Sequence, residues 1–202
     1  MIVFLFFAFI LHAQTQRIVP LEEAYNASCS PCATYNPILQ KFYASHFGGV
    51  ISVRYHAWRP GSSDPMYVSA STDCRQRINY YGITSVPTYV IDGVPEGVPA
   101  DYDAMVRHLE QRLAQPAPLK ILVHSKIVDA SVLAKVRLIP LQEVTAGNLY
   151  LRVAVTQRMV SYQSPPGSNG EKNFPEVLRK MLPNATGTSI PALTVGDTLD
   201  FE

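Results

Sequence analysis

The chain of 202 residues is 47% hydrophobic and 16% charged, with a formal net charge of +1. This composition is typical of a folded protein with an apolar core and excludes a chain that is mostly disordered. Because the 17 Lys and Arg residues are scattered, the charge pattern also disfavours partners such as nucleic acid or an anionic membrane surface.

An apolar run from Ile2 to Leu11 opens the chain and is too short for a membrane-spanning helix of about 20 residues. The run, together with Ala13 and the polar residues after it, predicts a signal peptide over residues 1–13. No Lys or Arg follows Met1, and a buried N-terminal strand is the alternative. Export would place the cysteines in an oxidising compartment.

Residues 14–115 show β and α patterns in alternation. The strand patterns are Arg17–Tyr25, Val50–Trp58 and the segment SVPTYVIDG from Ser85, and the helical patterns are Cys29–Phe47, Pro65–Tyr81 and Ala100–Ala114. The order β-α-β-α-β-turn-α predicts an α/β domain.

The pattern changes after the linker-like segment Gln115–Leu119. Strand patterns follow at Leu119–Val128, Val132–Pro140 and Asn148–Tyr162. Three strands without an intervening helix predict an all-β, sandwich-like domain over residues 119–202. A polar loop, SPPGSNGEKN, and a short helix near Phe174–Met181 come next. Because the final DTLDFE would leave a sheet edge without its neighbour, we expect this second domain to be incomplete.

The stretch ASCSPC places Cys29 and Cys32 two residues apart, between a predicted strand and a predicted amphipathic helix. A helix N-terminus lowers the pKa of a thiol, so Cys29 is the candidate nucleophile and Cys32 the candidate resolving thiol. A redox-active dithiol, an inert structural disulfide and a zinc site all remain open. Zinc is disfavoured because the chain has no second CxxC and no H-x₃-H, and we predict no metal and no cofactor.

Three features resemble thioredoxins. The motif C-S-P-C resembles their C-G-P-C, with Ser30 in place of Gly. The segment YGITSVPT resembles the thioredoxin segment in which a cis-proline faces the dithiol, and Pro87 takes that place. Glu23, six residues before Cys29, matches a buried acid that helps to move the proton of the second cysteine. Ser28 departs from the pattern, because thioredoxins usually carry Trp there.

This resemblance implies four catalytic residues: Cys29, Cys32, Pro87 and Glu23. It also implies substrate contacts, for which the candidates are Ser30, Pro31, Val86 and Trp58. Trp58 is included because it ends the second strand, at the edge where open α/β sheets usually build their sites.

Longer segments are similar to a family of outer-membrane-associated proteins of Gram-negative bacteria that join a thioredoxin-like head to a β-sandwich. These segments are PLEEAYNASCSPC, SSDPMYVSASTDCRQRINYYGITSVPTYVIDG and PPGSNGEKNFPEVLRKMLPNATG. The similarity implies an exported thioredoxin-like protein in the periplasm or at the outer membrane, with thiols and disulfides of envelope proteins as partners. The activity expected from the dithiol is thiol–disulfide exchange. The alternative is a non-enzymatic binding or assembly module whose CxxC is a structural disulfide.

Several residues have a structural alternative. Cys74 lies on the apolar stripe of its helix and is expected to be a core thiol rather than a third redox partner. His56 is expected to be a packing or a surface residue rather than a substrate contact. Pro87 could be an ordinary trans proline, and Glu23 a solvated acid if Glu22 faces the interior instead. For the loop SPPGSNGEKN we expect a solvated loop rather than a binding loop.

Overall fold

The computed structural model describes residues 15–129, 131–145, 147 and 149–202. The predicted signal peptide lies outside the described residues. The chain is mixed α/β, with one large mixed sheet and smaller antiparallel sheets.

The helices and strands follow the predicted order closely up to residue 115. The helices are α1 Ser30–Ser45, α2 Pro65–Ser69, α3 Ser71–Tyr80 and α4 Tyr102–Leu113. The strands are β1 Val19–Tyr25, β2 Val50–His56, β3 Thr88–Ile91, β4 Val94–Gly97, β5 Leu119–Val128, β6 Ser131–Pro140, β7 Tyr150–Leu151, β8 Val153–Ser161, β9 Asn173–Leu182, β10 Thr188–Ser189 and β11 Leu199–Phe201. The single helix predicted from Pro65 is divided at Ala70, whose backbone leaves the helical region at φ −140° and ψ 33°.

The large sheet has six strands in the order β4-β3-β1-β2-β9-β8. Strand β1 pairs in parallel with β2 and antiparallel with β3. Strand β9 pairs in parallel with β2 and antiparallel with β8. The parallel strands β1 and β2 therefore end at the same edge of the sheet, and the CxxC motif follows directly after β1.

Helices cover both faces of this sheet. Leu39 and Phe42 of α1 pack with Met105 and Leu109 of α4 on one face, where apolar residues recur at helical spacing. Cys74 and other residues of α3 pack on the opposite face. Burial of each such Leu or Phe contributes about 1.5–3 kcal/mol, so the two layers hold the strand ends in place.

The predicted helix at Phe174–Met181 is wrong, because these residues lie in β9. Val177 and Leu178 are neighbours in sequence but pack into different core clusters, on opposite faces of the sheet. The register also shifts beside Thr156, where β9 carries an extra residue opposite β8. A strand that is covered on both faces and contains a bulge loses its period of two, and its buried positions then imitate helical spacing.

The strands after residue 119 are divided among three sheets, which the sequence did not indicate. The β8–β9 hairpin completes the large sheet, whereas β5, β6 and β11 form a three-stranded sheet and β7 and β10 a two-stranded one. A small apolar cluster of its own, which includes Val136, Leu138 and Ile190, lies beside the three-stranded sheet. The division of the chain near residues 115–119 stays a prediction.

Candidate functional site

The CxxC motif forms the junction between β1 and α1. Cys29 is the N-terminal cap of α1, with extended backbone angles of φ −90° and ψ 106°. Its Sγ accepts a hydrogen bond from the backbone N–H of Cys32 at 3.1 Å. The two cysteines are joined by a disulfide. The geometry therefore places the sulphur of Cys29 where unpaired N–H groups and the helix dipole favour negative charge.

Both sulphurs are covered, and the residues between them are not. Cys29 is 3% exposed and Cys32 is wholly buried. They pack with the side chains of Tyr25, Met66 and Phe174. Ser30 and Pro31, the two candidate substrate contacts inside the motif, are exposed.

The segment before β3 reaches the disulfide. The Val86–Pro87 peptide bond is cis, as predicted, and Pro87 is buried. The carbonyl oxygen of Val86 lies 3.5 Å from Sγ of Cys29. Val86 itself is half-buried and packs against two core clusters, one of which contains both cysteines. The structure thus brings Val86 and Cys29 together, while the roles of Pro87 and Val86 in catalysis and substrate contact stay predictions.

Trp58 follows β2 and lies against two cationic groups. The guanidinium carbon of Arg75 lies 4.4 Å from its ring centroid, and that of Arg59 lies 4.9 Å away. Tyr67 contacts the same ring. Because these neighbours cover much of the indole, a role for Trp58 in substrate contact stays a prediction.

The turn before Cys29 is fixed by the loop after β2. Asn26 donates hydrogen bonds to the carbonyl oxygens of Ala57 and Gly61, at 2.7 and 2.8 Å. The backbone N–H of Ala27 donates to Asp64 Oδ2 at 2.7 Å. Asp64 also caps α2, so one buried carboxylate fixes the start of that helix and the entry to the CxxC motif.

Asp64 also holds His56, which is wholly buried. The His56 Nδ1 lies 2.7 Å from Asp64 Oδ2, and the ring packs edge-on against Tyr25 and Phe174. Burial is the largest influence on His56 and lowers its pKa, so the ring is neutral near neutral pH. Of the two expected positions for His56, packed or at the surface, the structure shows the packed one.

The loop between β8 and β9, residues 162–172, crosses the CxxC motif. The backbone N–H of Asn169 donates to the carbonyl oxygen of Ala27 at 3.1 Å. Its Nδ2 lies 3.1 Å from the Tyr25 hydroxyl and 3.5 Å from the carbonyl oxygen of Cys29. Ser168 adds two hydrogen bonds to Ser28. The loop SPPGSNGEKN is therefore attached to the residues that precede the helix, although most of its residues are exposed, as expected of a solvated loop.

A buried polar network lies behind the motif. Glu23 Oε2 accepts a hydrogen bond from Arg54 Nε at 2.7 Å, and Arg54 also donates to Asn36 Oδ1 at 2.7 Å. Asn36 in turn donates to Glu171. Burial raises the pKa of Glu23, although the charge of Arg54 opposes this. Glu23, not a solvated acid, therefore faces α1, while Glu22 faces α3 and pairs there with Arg77.

Two solved structures are similar to this chain. HBP35 of Porphyromonas gingivalis superposes with a TM-score of 0.71 at 12% identity, over 92% of this chain and 63% of HBP35. Protein AGR_C_4864 from Agrobacterium tumefaciens superposes with a TM-score of 0.58 at 17% identity, over 94% of this chain and 80% of that one. No protein-family model and no curated protein matches the chain. At such identities the similarity concerns the fold alone, and this chain spans less than two thirds of the length of HBP35.

Two further properties concern only part of the chain. Of the helices in the described residues, none is long and apolar enough to cross a membrane. Within the same residues, no group of three or more His, Cys, Asp or Glu side chains is placed to hold a metal ion.

Cys74 is a buried free thiol on α3, which agrees with its expected place in the core. Burial raises the pKa of Cys74 to about 12. The thiol is therefore protonated and shielded, whereas the equally buried cysteines of the motif are joined in a disulfide.

The site also contains residues that the sequence did not indicate. These are Asn36, Arg54, Asp64, Asn169 and Glu171. Two signals were available: Asn36 is a polar side chain on the buried face of α1, and Arg54 is a charged side chain inside β2. Both indicate a buried network, since buried polar groups need hydrogen-bond partners. Which partners they would meet depends on β9, and that strand was predicted as a helix.

Gly167 offers a test of whether the loop protects the disulfide. A Cβ at this position would lie 2.3 Å from the carbonyl oxygen of Ala27, so Gly167→Ala must displace the loop. We expect a loss of about 1–3 kcal/mol in the free energy of unfolding. We also expect faster reduction of the disulfide by a phosphine reductant, followed by alkylation and mass spectrometry. Gly147→Ala is the matched control, because a Cβ there meets nothing within 4 Å. Equal reduction rates for both variants would show that the loop does not limit access.

Proposed function

We propose that this protein is an exported thiol–disulfide oxidoreductase with a thioredoxin-like fold, which acts on envelope proteins through Cys29 and Cys32. The observation that carries the proposal is the position of Cys29. It caps the N-terminus of α1, and the carbonyl oxygen of Val86 lies 3.5 Å from its sulphur. A thiolate is favoured at such a position, and the thiolate is the form that attacks a disulfide.

The exchange reaction assigns different roles to the two cysteines. The reduced Cys29 thiolate attacks a substrate disulfide, so that a bond to one substrate sulphur forms and the other substrate sulphur leaves as a thiolate. Cys32 then loses its proton and attacks Cys29, which releases the first substrate sulphur and restores the disulfide. The reverse sequence oxidises a substrate dithiol. The exposed Ser30 and Pro31, with Val86 next to Cys29, are the surface on which a substrate segment would lie.

The proposed location rests on sequence. The apolar run Ile2–Leu11 supports export, and the similarity to outer-membrane-associated proteins supports the periplasm or the outer membrane as the site of action. The thioredoxin-like fold is supported by the order β1-α1-β2, the cis bond before Pro87 and the CxxC at the start of α1.

A second candidate function is a binding or assembly module whose disulfide is purely structural. The burial of the cysteines, at 3% and 0% exposure, favours it. So do the hydrogen bonds of Ser168 and Asn169, which attach the β8–β9 loop over the motif. In this alternative the disulfide stabilises the loop and does not turn over.

The reduction potential of the Cys29–Cys32 couple distinguishes the two candidates. We expect a value between about −270 and −120 mV, the range of catalytic couples, because a stabilised Cys29 thiolate favours the reduced form. The measurement is equilibration with glutathione buffers in a Cys74→Ser background, followed by acid quenching, alkylation and mass spectrometry. A potential below about −300 mV, typical of structural disulfides, would contradict the proposed function.

A further inference from the structure

The β8–β9 loop places a carboxyl group next to two amide side chains that lie near the CxxC motif. Glu171 Oε2 accepts a hydrogen bond from Asn169 Nδ2 at 2.8 Å, and Oε1 accepts one from Asn36 Nδ2. The backbone N–H of Glu171 donates to Asn169 Oδ1 at 2.9 Å. Two amide side chains therefore fix the position of this carboxyl group.

Each of these amides connects Glu171 to the helical turn of one cysteine. Asn36 follows Cys32 by four residues, so both lie on the same buried face of α1. Asn169 Nδ2 lies 3.5 Å from the carbonyl oxygen of Cys29. The side chain of Asn169 therefore bridges the Glu171 carboxyl group and the backbone of Cys29, so a negative charge that forms at Cys29 can act on Glu171 through a partly buried region.

Charged and titratable groups surround Glu171 on several elements. From β1 come Glu23 and the hydroxyl of Tyr25, which accepts a hydrogen bond from Asn169, and from β2 comes Arg54. Burial raises the pKa of Glu171 to about 7, and the charge of Glu23 adds to this rise. In the oxidised protein Glu171 is therefore about half protonated at neutral pH.

Glu23 is less suited to exchange protons with solvent. It is 4% exposed, and Arg54 holds its Oε2 at 2.7 Å. Glu171 is partly exposed, because it lies on a surface loop. A proton that reaches Glu171 can consequently leave to water, whereas Glu23 is held as a buried ion-pair partner.

We propose that Glu171 takes up a proton when the Cys29–Cys32 disulfide is reduced and releases it when the disulfide forms again. The inference rests on the proposed function, and it makes Glu171 a positioning residue that acts through Asn36 and Asn169. The resemblance to thioredoxins implied that Glu23 helps to move a proton during exchange, and this proposal assigns proton uptake to Glu171 instead.

The step balances in electrons and protons. Reduction by two glutathione thiols breaks the Cys29–Cys32 bond, forms oxidised glutathione and sets free two protons. Cys32 takes one of them and Cys29 stays a thiolate, which adds one negative charge at the motif. This charge favours the protonated carboxyl group, so Glu171, which is already about half protonated at neutral pH, takes up part of the second proton and the rest goes to solvent. On oxidation the proton of Cys32 and the fraction held by Glu171 return to solvent.

A direct test is the titration of Glu171 in the wild-type protein, followed by carbon NMR of the carboxyl group in the oxidised and the reduced state. We expect reduction to increase the proton affinity of Glu171 by about tenfold, as a nearby like charge does. Ultraviolet absorbance of the thiolate is recorded on the same reduced sample. An unchanged Glu171 titration in a sample that contains the thiolate overturns this inference and leaves the proposed function standing. Absence of the thiolate near neutral pH overturns both.

A second test uses Glu171→Gln, with Glu110→Gln on the exposed face of α4 as the matched control. In Glu171→Gln, reduction of the Cys29–Cys32 disulfide by glutathione releases one proton. The equilibrium constant of this reduction should therefore rise about tenfold per pH unit between about pH 7 and 8. The wild type and Glu110→Gln should show a clearly smaller rise. A merely structural role of Glu171 would lower stability without changing this pH dependence, and equal slopes in the three proteins would contradict the proposal.

Discussion

Replacement of Cys32 by Ser is expected to trap covalent complexes between Cys29 and envelope proteins. Cys29 keeps its place at the N-terminus of α1 and can still attack a disulfide. The mixed disulfide then persists, because the thiol that would release it is missing. We expect at least about tenfold more adduct than with Cys29→Ser, which retains only the buried Cys32. The adducts are measured on non-reducing gels after incubation with an envelope extract.

Two controls define the outcome of the trapping experiment. All variants carry Cys74→Ser, so that no third thiol contributes. Oxidised glutathione serves as a defined small disulfide, whose adduct is detected by mass. If the Cys32→Ser and Cys29→Ser variants form equally little adduct with both probes, the disulfide is structural and the binding-module alternative takes its place.

The features of the site that follow from local sequence could be predicted. A Pro in the first turn of α1 and a CxxC after β1 place Cys29 at the helix N-terminus, whatever the rest of the fold does. The cis bond before Pro87 was predicted by resemblance to a short segment. These predictions need only a few neighbouring residues, because helix capping and proline geometry are local effects.

The features that failed or were missed depend on distant contacts. Glu171 meets Asn36 across 135 residues, and Asn169 reaches Cys29 across 140. No local pattern fixes such contacts, since they require β9 to lie beside β2. The apolar spacing of Phe174, Val177 and Met181 instead indicated a helix. Because the residues of β8 and β9 were assigned to a separate domain, nothing in the sequence indicated that their connecting loop would lie near the CxxC motif.

The network behind the dithiol also has a structural cost. Glu23 and Arg54 are both buried, at 4% exposure each, and one oxygen of Glu23 and one terminal nitrogen of Arg54 have no hydrogen-bond partner among the described residues. Such pairs contribute little net stability compared with apolar residues, but they become costly when one partner is removed.

Arg54→Met is therefore expected to lower the free energy of unfolding by about 3–5 kcal/mol near neutral pH, because it leaves the Glu23 carboxylate buried without its cation. The loss should depend on pH in a defined direction. Burial already holds the pKa of Glu23 above its ordinary value of 4.5, and removal of Arg54 raises it further. The folded variant then binds this proton more tightly than the unfolded chain, so stability falls as the pH rises above about 4.5 and is regained on acidification.

Urea denaturation of Arg54→Met at several pH values, with the wild type measured in parallel, checks this expectation. The double variant Glu23→Gln/Arg54→Met removes the unpaired charge and should recover much of the loss at neutral pH. Arg137→Met is the matched control, because Arg137 makes two hydrogen bonds of 2.7 Å to Asp200 on an exposed face. Since water already solvates that aspartate, we expect little or no change. A loss in Arg54→Met that is independent of pH, or that the double variant fails to recover, would mean that packing of Arg54 against Tyr25 matters more than its charge.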